Sequence, residues 1–334
     1  MGSDSIQRPD YVEGAPAVSS KRLGALQCGA AAKLARAGAT RTTSLRTLAG
    51  CVVQLHLRAL KANGIRERGL SAPSLQAATL LLDQRLSLEP ITDLPPALRP
   101  QNEAEGYGLQ RVLNGLLTIA GMGRQAGHKI GCTTAVMQKF LNIPNPCAGG
   151  VFEKCVLRGA ARVPRSGFVR LGIECEIAVE LARDLAPSGA PVDRHAAAGA
   201  IGAVMAAIEL VDERYKDFRS LGIPTLIADD FFDSGCVLGD PLRDWRKLDL
   251  AGLSGVTYLN GLEAGRGTGA LVMGHPLEAL AWLANARARN GLETLKAGEF
   301  VLLGSVVETQ WLNAGDQVRV EIEELGEVTL SVDE

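Results

Sequence analysis

After His128 the sequence becomes a succession of short segments with the pattern of β-strands, most of them ending at glycine, proline or a polar turn residue. Runs of β-branched and apolar residues bounded by such turn formers are typical of strands. Two helical patterns interrupt them, at residues 193–215 and 275–291. Because this order is not a regular βαβ alternation, it predicts an α+β fold with a β-rich mixed sheet core. The predicted strands lie at residues 150–157, 168–181, 231–239, 255–263, 299–305, 317–326 and 327–332.

The part of the chain before this core has a different texture. Apolar residues recur at helical spacing over residues 74–91 and 103–121, which predicts a helical lead-in over 73–126, followed by the core over 127–334. The first 70 residues contain eleven Lys and Arg against four Asp and Glu. We predict that residues 1–72 form a poorly ordered or weakly structured extension; a transit peptide and a start codon placed too early are the alternatives.

The composition of the chain limits the classes of molecule that the protein is expected to bind. The formal net charge is −2 and 46% of the residues are hydrophobic, so there is no basic excess of the kind that nucleic acid or anionic lipid attracts. No apolar run reaches the length of about 18 residues that a membrane span needs. The seven cysteines include no C-x-x-C pair, which favours a reduced, cytoplasmic setting. A small molecule is therefore the expected substrate, and we expect a homo-oligomer.

Two glutamates share one face of the predicted strand GIECEIAVEL, residues 172–181. Side chains alternate along a strand, so Glu174 and Glu176 point the same way, with Cα atoms about 6 to 7 Å apart. This pattern is also typical of the solvent face of an antiparallel sheet. A third acid, Glu209, lies between isoleucine and leucine in the segment AAIELVDERY. Three carboxylates with no nearby histidine favour a hard ion, Mg²⁺ or Mn²⁺, over zinc.

Six segments in order resemble the 2-keto-4-pentenoate hydratase and 4-oxalocrotonate decarboxylase family, which belongs to the fumarylacetoacetate hydrolase superfamily. The resemblance covers roughly residues 75–334 and implies a fold of the fumarylacetoacetate hydrolase type. The six segments are GHKIGCTT (127–134), IECEIAVEL (173–181), AIELVDERY (207–215), ADDFFDSGCVLGD (228–240), GHPLEALAWLAN (274–285), and LKAGEFVLLGS with a later AGD (295–316).

The resemblance also implies roles for particular residues. The metal ligands of the family correspond to Glu174, Glu176 and Glu209, which are the three acids selected above. The lysine of the family's K-I-G motif matches Lys129, a candidate catalytic group beside the bound substrate carboxylate and the metal. His128, next to it, is interpreted as a structural histidine.

Two further site residues come from the resemblance alone. Glu153 matches an acidic residue of the family that is usually aspartate, and it is a candidate for activating water or protonating carbon. Ser234 matches the serine of the family's A-D-N-x-S-S-G loop and is a candidate for binding the substrate carboxylate. Here Asp230 stands in place of the asparagine, and the loop is one residue longer.

The implied activity is the metal-dependent hydration of a 2-hydroxy-penta-2,4-dienoate in the degradation of aromatic compounds. A decarboxylase of a 2-oxo-enedioate is the nearest alternative, and its substrate would need a cation for a second carboxylate. The cations considered for that role are Lys139, Arg158, Arg214 and Lys216. A C–C bond hydrolase ranks lower because no histidine matches the Glu/His pair of those enzymes.

Two functions outside the lyase class are also considered. A nucleotide-binding oxidoreductase is suggested by GMGRQAG at residues 121–127, although the dinucleotide fingerprint requires a preceding strand. A non-catalytic member of the family that serves as an interaction module is the other.

Overall fold

A computed structural model of the chain describes residues 71–334. The extension predicted for residues 1–72 therefore lies almost entirely outside the described residues, and it stays a prediction. Within the described part no helix is long and apolar enough to cross a membrane.

Seven α-helices and thirteen β-strands make up the described fold, joined by short 3₁₀ turns and one π-helical turn at Thr118–Met122. The helices are α1 (Ala72–Ser87), α2 (Glu103–Leu117), α3 (Ala135–Leu141), α4 (Arg194–Ala200), α5 (Phe218–Leu221), α6 (Ile223–Ala228) and α7 (Pro276–Arg289). The strands are β1 (Gln125–Gly131), β2 (Cys147–Phe152), β3 (Val156–Arg158), β4 (Ala160–Pro164), β5 (Leu171–Leu181), β6 (Ile201–Asp212), β7 (Asp233–Leu238), β8 (Ser254–Leu259), β9 (Leu262–Thr268), β10 (Phe300–Ser305), β11 (Gln310–Trp311), β12 (Gln317–Ile322) and β13 (Gly326–Asp333).

The strands form two mixed sheets. The larger sheet has eight strands in the order β2-β1-β10-β5-β6-β7-β3, with β11 paired to β5, and the smaller has five in the order β4-β13-β12-β8-β9. Parallel pairs are β1 with β10, β3 with β7 and β4 with β13; the other pairs are antiparallel. The two sheets contact each other mainly where β12 and β13 meet β6, and also where β13 meets β7 and β8 meets β5. This arrangement confirms the predicted α+β fold with a β-rich mixed sheet core.

The long central strands β5 and β6 form the middle of the larger sheet. All eleven register pairs from Leu171 with Asp212 to Leu181 with Ile201 are antiparallel. Every residue of β6 except Gly202 is buried. A strand covered on both faces has no polar side to alternate with its apolar side, so its sequence is a continuous apolar run.

That continuous run explains one wrong prediction. The sequence pattern predicted a single helix over residues 193–215, but the helix α4 ends at Ala200 and the rest of the run is the strand β6. Alanine favours helix, whereas tertiary pairing on both edges of β6 decides the outcome here. Glu209 is therefore presented by a strand and not by a helix.

The prediction of one strand over residues 150–157 is also wrong in detail. Strand β2 ends at Phe152, and a 3₁₀ turn over Glu153–Cys155 separates it from β3. The segment GMGRQAG at residues 121–127 follows a helix and runs into β1. A dinucleotide fingerprint requires the opposite order, with the strand first, so the oxidoreductase reading is not supported.

Helices α1 and α2 pack against each other ahead of β1. Ser71 caps α1 by accepting the N–H of Ser74, and Asn102 caps α2 by accepting the N–H of Glu105. Close approach of α2 to α6 requires glycine at position 106, because a Cβ there would lie 2.6 Å from a backbone oxygen of α6. This packing fixes α6, whose carboxyl end leads into residues 229–233.

Candidate metal centre

Antiparallel pairing of β5 and β6 brings the predicted acidic residues together. Glu174 on β5 is the register partner of Glu209 on β6, and Glu176 lies two residues further along β5. Directly opposed residues of an antiparallel pair have Cβ atoms about 4.5 to 5.5 Å apart. Acids separated by 33 and 35 residues of sequence thus become neighbours on one sheet.

The burial of these residues rules out a simple solvent face. Glu176 and Glu209 are completely buried, and Glu174 is half-buried. Ionised carboxylates are rarely buried unless they are paired or bind a metal. The alternating acids on β5 therefore need a positive partner.

The donor set fits a hard dication. One carboxylate oxygen from each of Glu174, Glu176 and Glu209 can be chosen so that all three lie within 4.8 Å of one another. Oxygens on opposite sides of an octahedral Mg²⁺ shell lie about 4.2 Å apart, so the three oxygens lie close to the spacing that a bound ion would require. Glu176 Oε1 and Glu209 Oε2 are buried without a hydrogen-bond partner, and a bound cation would satisfy such orphaned carboxylate oxygens.

A bulge in β10 holds one of these carboxylates. The register of β10 against β5 shifts between Leu302 and Ser305, and the Gly304 N–H there donates to Glu176 Oε2 at 2.8 Å. Gly304 has φ +120°, and a Cβ at this position would lie 2.5 Å from Thr133 Oγ1. Only glycine fits both the backbone conformation and the space.

A threonine holds the least buried carboxylate. Thr309 Oγ1 donates to Glu174 Oε1 at 2.5 Å. Sequence reasoning missed both Thr309 and Gly304, because these hydrogen bonds span 135 and 128 residues of chain. Gly304 at least lies in a segment that carries the family resemblance, whereas nothing in the sequence marks Thr309.

Lys129 reaches the same centre from β1. It is 2% exposed, and its ammonium lies 2.8 Å from Glu209 Oε1 and donates to the backbone oxygen of Phe231 at 2.9 Å. Burial opposes its charged form, but the carboxylates of Glu209, Glu174 and Glu176 outweigh burial and hold the pKa of Lys129 above its ordinary value. Lys129 is therefore a protonated partner of the acids.

The charges at this centre do not balance. Burial, with the charges of Glu209 and Glu174, raises the pKa of Glu176 well above its usual range. Burial also raises the pKa of Glu209, even though Lys129 opposes that change. One ammonium group does not neutralise three carboxylates, and a dication would complete the balance.

The structure does not bring Glu153 to this centre. Its side chain is 40% exposed, accepts the Arg124 N–H at 2.9 Å and pairs with Arg124 Nε at 2.7 Å. These two hydrogen bonds from Arg124 lower the pKa of Glu153. None of these contacts joins Glu153 to the three acids, so the catalytic role that the resemblance implied stays a prediction. Measuring turnover by a Glu153→Gln variant would test that role.

Ser234 occupies a bulge instead of an open loop. It lies in β7 between Asp233, the partner of Val211, and Gly235, the partner of Leu210. It is half-buried and two residues from Cys236, which pairs with Glu209. Its predicted role in substrate binding stays a prediction.

His128 alternates with Lys129 along β1 and therefore points to the opposite face of the sheet. It is buried, with Nδ1 2.9 Å from Gln125 Nε2 and Nε2 3.3 Å from Glu299 Oε2. Burial lowers its pKa to about 4, helped by Arg287. This environment matches the interpretation of His128 as a structural histidine.

A β-rich α+β fold with three converging carboxylates and a buried lysine defines a class of protein that can hold a divalent metal at an all-oxygen site. The family model described as "Fumarylacetoacetate (FAA) hydrolase C-terminal" matches residues 152–333, more than half of the chain. The chain belongs to the fumarylacetoacetate hydrolase family. The family resemblance stated from the six segments is thereby confirmed.

Similarity to individual relatives covers more of the chain than the family model does. The chain is 32% identical over 260 residues to a 2-keto-4-pentenoate hydratase of Paraburkholderia phymatum, covering 77% of this chain and 96% of the relative. It is 32% identical over 250 residues to a 2-hydroxyhexa-2,4-dienoate hydratase of Comamonas testosteroni, covering 74% and 92%. A solved structure of 4-oxalocrotonate decarboxylase from Pseudomonas putida G7, complexed with magnesium and adipate, is similar with a TM-score of 0.72 and 25% identity, covering 78% of this chain and 97% of that one.

Proposed function

We propose that the chain is a divalent-metal-dependent lyase that adds water to a 2-hydroxy-penta-2,4-dienoate-type substrate in the degradation of aromatic compounds. The product is a 4-hydroxy-2-oxo acid. One observation carries the proposal: β5 and β6 bring Glu174, Glu176 and Glu209 together in the sheet interior, and Lys129 is bonded to one of them. The hydratase names of similar chains support the same reaction.

Each residue has a distinct task in this proposal. The three carboxylates hold the ion, and Gly304 and Thr309 fix the orientation of two of them. When bound, a divalent ion orients the substrate's carboxylate and 2-oxygen and supplies Lewis acidity. An ammonium has three N–H donors; Lys129 directs two toward Glu209 and Phe231, which leaves a third for a substrate oxygen or for proton transfer.

We propose Mg²⁺ or Mn²⁺ as the ion, because all three ligands are carboxylate oxygens. The similar decarboxylase structures contain magnesium or calcium, which agrees with a hard-ion site in the family. A cytoplasmic setting remains our prediction, and the five cysteines within residues 71–334 are free thiols. The homo-oligomer also remains a prediction.

Decarboxylation is the second candidate, because a similar solved structure is a decarboxylase. The second carboxylate of the decarboxylase substrate needs a cation. The guanidinium of Arg214 is occupied by hydrogen bonds within the protein, to Asp229 Oδ2 at 2.7 Å and to the backbone oxygens of Asp229 and Asp233. The side chains of Lys139, Arg158 and Lys216 are exposed. None of these four side chains is therefore placed to pair with the second carboxylate of a 2-oxo-enedioate.

The test follows the absorbance of 2-hydroxy-penta-2,4-dienoate after enzyme is added, with and without EDTA. We expect the dienol absorbance to fall only when metal is present, with a 4-hydroxy-2-oxo acid as the product and no release of CO₂ from this or a 2-oxo-enedioate substrate. Metal-independent turnover would contradict the proposed metal centre. Release of CO₂ from a 2-oxo-enedioate at a higher kcat/KM than dienoate hydration would replace hydratase by decarboxylase.

A further inference from the structure

The bond between Lys129 and the oxygen of Phe231 depends on an unusual turn. We call residues 229–233 the aspartate loop. Asp230, Phe231 and Phe232 have φ values of 56°, 49° and 69°. Left-handed backbone costs non-glycine residues about 1 to 2 kcal/mol each, so three in succession require strong anchors outside the turn.

Asp230 is one such anchor. It is completely buried. Its Oδ1 accepts the Gly150 N–H at 2.8 Å and Asn114 Nδ2 at 3.1 Å, and its Oδ2 accepts Arg85 NH1 at 3.0 Å. Position 149 must be glycine for the aspartate loop to lie this close to β2, because a Cβ there would lie 2.2 Å from the backbone oxygen of Asp230.

Arg85 spans the aspartate loop from helix α1. Besides Asp230, its NH2 donates to the backbone oxygen of Asp233 at 3.2 Å, and its guanidinium lies 3.7 Å from the carboxylates of Asp229 and Asp233. Its side chain is 13% exposed. A planar guanidinium can hold both ends of one turn in a fixed geometry, which lysine cannot do.

We propose that Arg85 is a positioning residue for Lys129, and this inference rests on the proposed function. By holding Asp230 and Asp233, Arg85 fixes the left-handed turn and with it the direction of the Phe231 carbonyl. That carbonyl and Glu209 together set the place of the Lys129 ammonium. The helical lead-in is then part of the catalytic apparatus, because α1 supplies Arg85 and α2 supplies Asn114.

A double-mutant cycle separates positioning from general stability. Arg85→Gln is measured alone and in a Lys129→Ala background, by kcat for dienoate hydration at saturating Mg²⁺. The matched control is Arg162→Gln, which removes an exposed arginine paired with Asp333 at 3.0 Å on the smaller sheet. If Arg85→Gln does not fold, Asn114→Ala takes its place, since it removes one bond to Asp230 without changing the charge.

The expected result is a fall in kcat of about tenfold or more for Arg85→Gln in the presence of Lys129, and of less than about twofold in the Lys129→Ala background. Arg85→Lys should recover part of the loss, and Arg162→Gln should have wild-type kcat. Equal losses in both backgrounds, or no loss at all, would overturn the inference. A Lys129→Ala enzyme with wild-type kcat would contradict the proposed function itself and the inference with it.

Amide hydrogen exchange of the metal-free protein gives a readout that does not depend on turnover. In Arg85→Gln, peptides that cover residues 226–235 and the Gly150 amide should exchange faster, while those in β12 and β13 keep wild-type protection. Unchanged protection of the aspartate loop would show that Arg85 does not hold it, which overturns the inference even if kcat falls.

Discussion

At the level of single residues, the proposed metal centre consists of three acids that would share one cation. Glu176 and Glu209 have no exposed surface, and their unsatisfied oxygens are costly unless a cation is bound. The proposed ligand set was visible in the sequence because an acid between apolar residues is unusual. Its geometry was not visible, since it depends on the register of β5 with β6.

Replacing a proposed ligand should abolish turnover without unfolding the protein. We expect Glu174→Ala and Glu209→Ala each to lower metal-dependent kcat/KM by at least about 100-fold, because an incomplete ligand set binds the dication weakly. Glu180→Ala is the matched control, since Glu180 lies on the same strand and faces Arg243 at 3.8 Å. Circular dichroism verifies folding. Wild-type kcat/KM in either ligand variant would remove that residue from the metal site.

Lys129→Ala should lower kcat by about 100-fold or more, the usual scale for loss of a positioned acid or base, while metal affinity stays within about tenfold. The reason is that the Lys129 ammonium pairs with Glu209 Oε1 and, as a cation with no lone pair, cannot itself bind the metal. Lys296→Ala, which removes an exposed lysine paired with Asp184, serves as the control. A Lys129→Ala enzyme that turns over normally would refute the proposed role.

His128 predicts a pH dependence of stability. Its pKa in the folded protein is about 4, below the ordinary 6.5, because burial and Arg287 disfavour its charge more than Glu299 favours it. Between these pH values the unfolded chain binds the extra proton, so the free energy of unfolding should fall by up to about 1.4 kcal/mol per unit as pH decreases. The contribution is fully present above pH 6.5.

Urea unfolding between pH 4 and 7 measures this effect. His128→Gln should flatten the slope in that window, and His195→Gln, at an exposed position, should leave it as in the wild type. An unchanged slope in His128→Gln would mean that His128 does not titrate as its surroundings indicate.

At the scale of elements, the sequence predicted the strand that carries Glu174 and Glu176 but assigned the wrong element to Glu209. The alanine-rich run fits a helix by propensity, and only pairing with β5 and β7 makes Ile201–Asp212 a strand. The hydrogen bonds from Gly304 and Thr309 could not be predicted either, because they join segments more than 120 residues apart. Sequence therefore identified the three acids that we propose as ligands, and pairing between strands supplied their arrangement.

The β10 bulge at Gly304 should affect both the stability of the protein and its metal binding. Gly304→Ala should lower the free energy of unfolding by about 2 to 4 kcal/mol and weaken metal binding, because the new Cβ forces Thr133 or the bulge to move. Gly315→Ala is the control: position 315 also has positive φ, +88°, but open space around the new Cβ, so the substitution should cost only about 1 to 2 kcal/mol. Equal costs for both variants, with unchanged metal affinity in Gly304→Ala, would contradict the role given to the bulge.

At the scale of the whole molecule, the centre joins parts of the chain that are far apart in sequence. Lys129 comes from β1, the acids come from β5 and β6, and Gly304 and Thr309 come from the carboxyl-terminal part. The resemblance predicted this fold type, and four of its six segments fall on β1, β5, β6 and β10. It did not predict that Arg85 of helix α1 reaches the aspartate loop, since residue 85 lies outside all six segments.

Calorimetric titration of the metal-free protein with Mn²⁺ measures whether Glu174, Glu176 and Glu209 hold one divalent ion. We expect one ion bound per chain in the wild type and in Glu180→Ala, and loss of that binding in Glu209→Gln, which keeps the shape of the side chain but removes its charge. One tightly bound ion per chain in Glu209→Gln, with wild-type affinity, would show that the proposed metal centre is wrong.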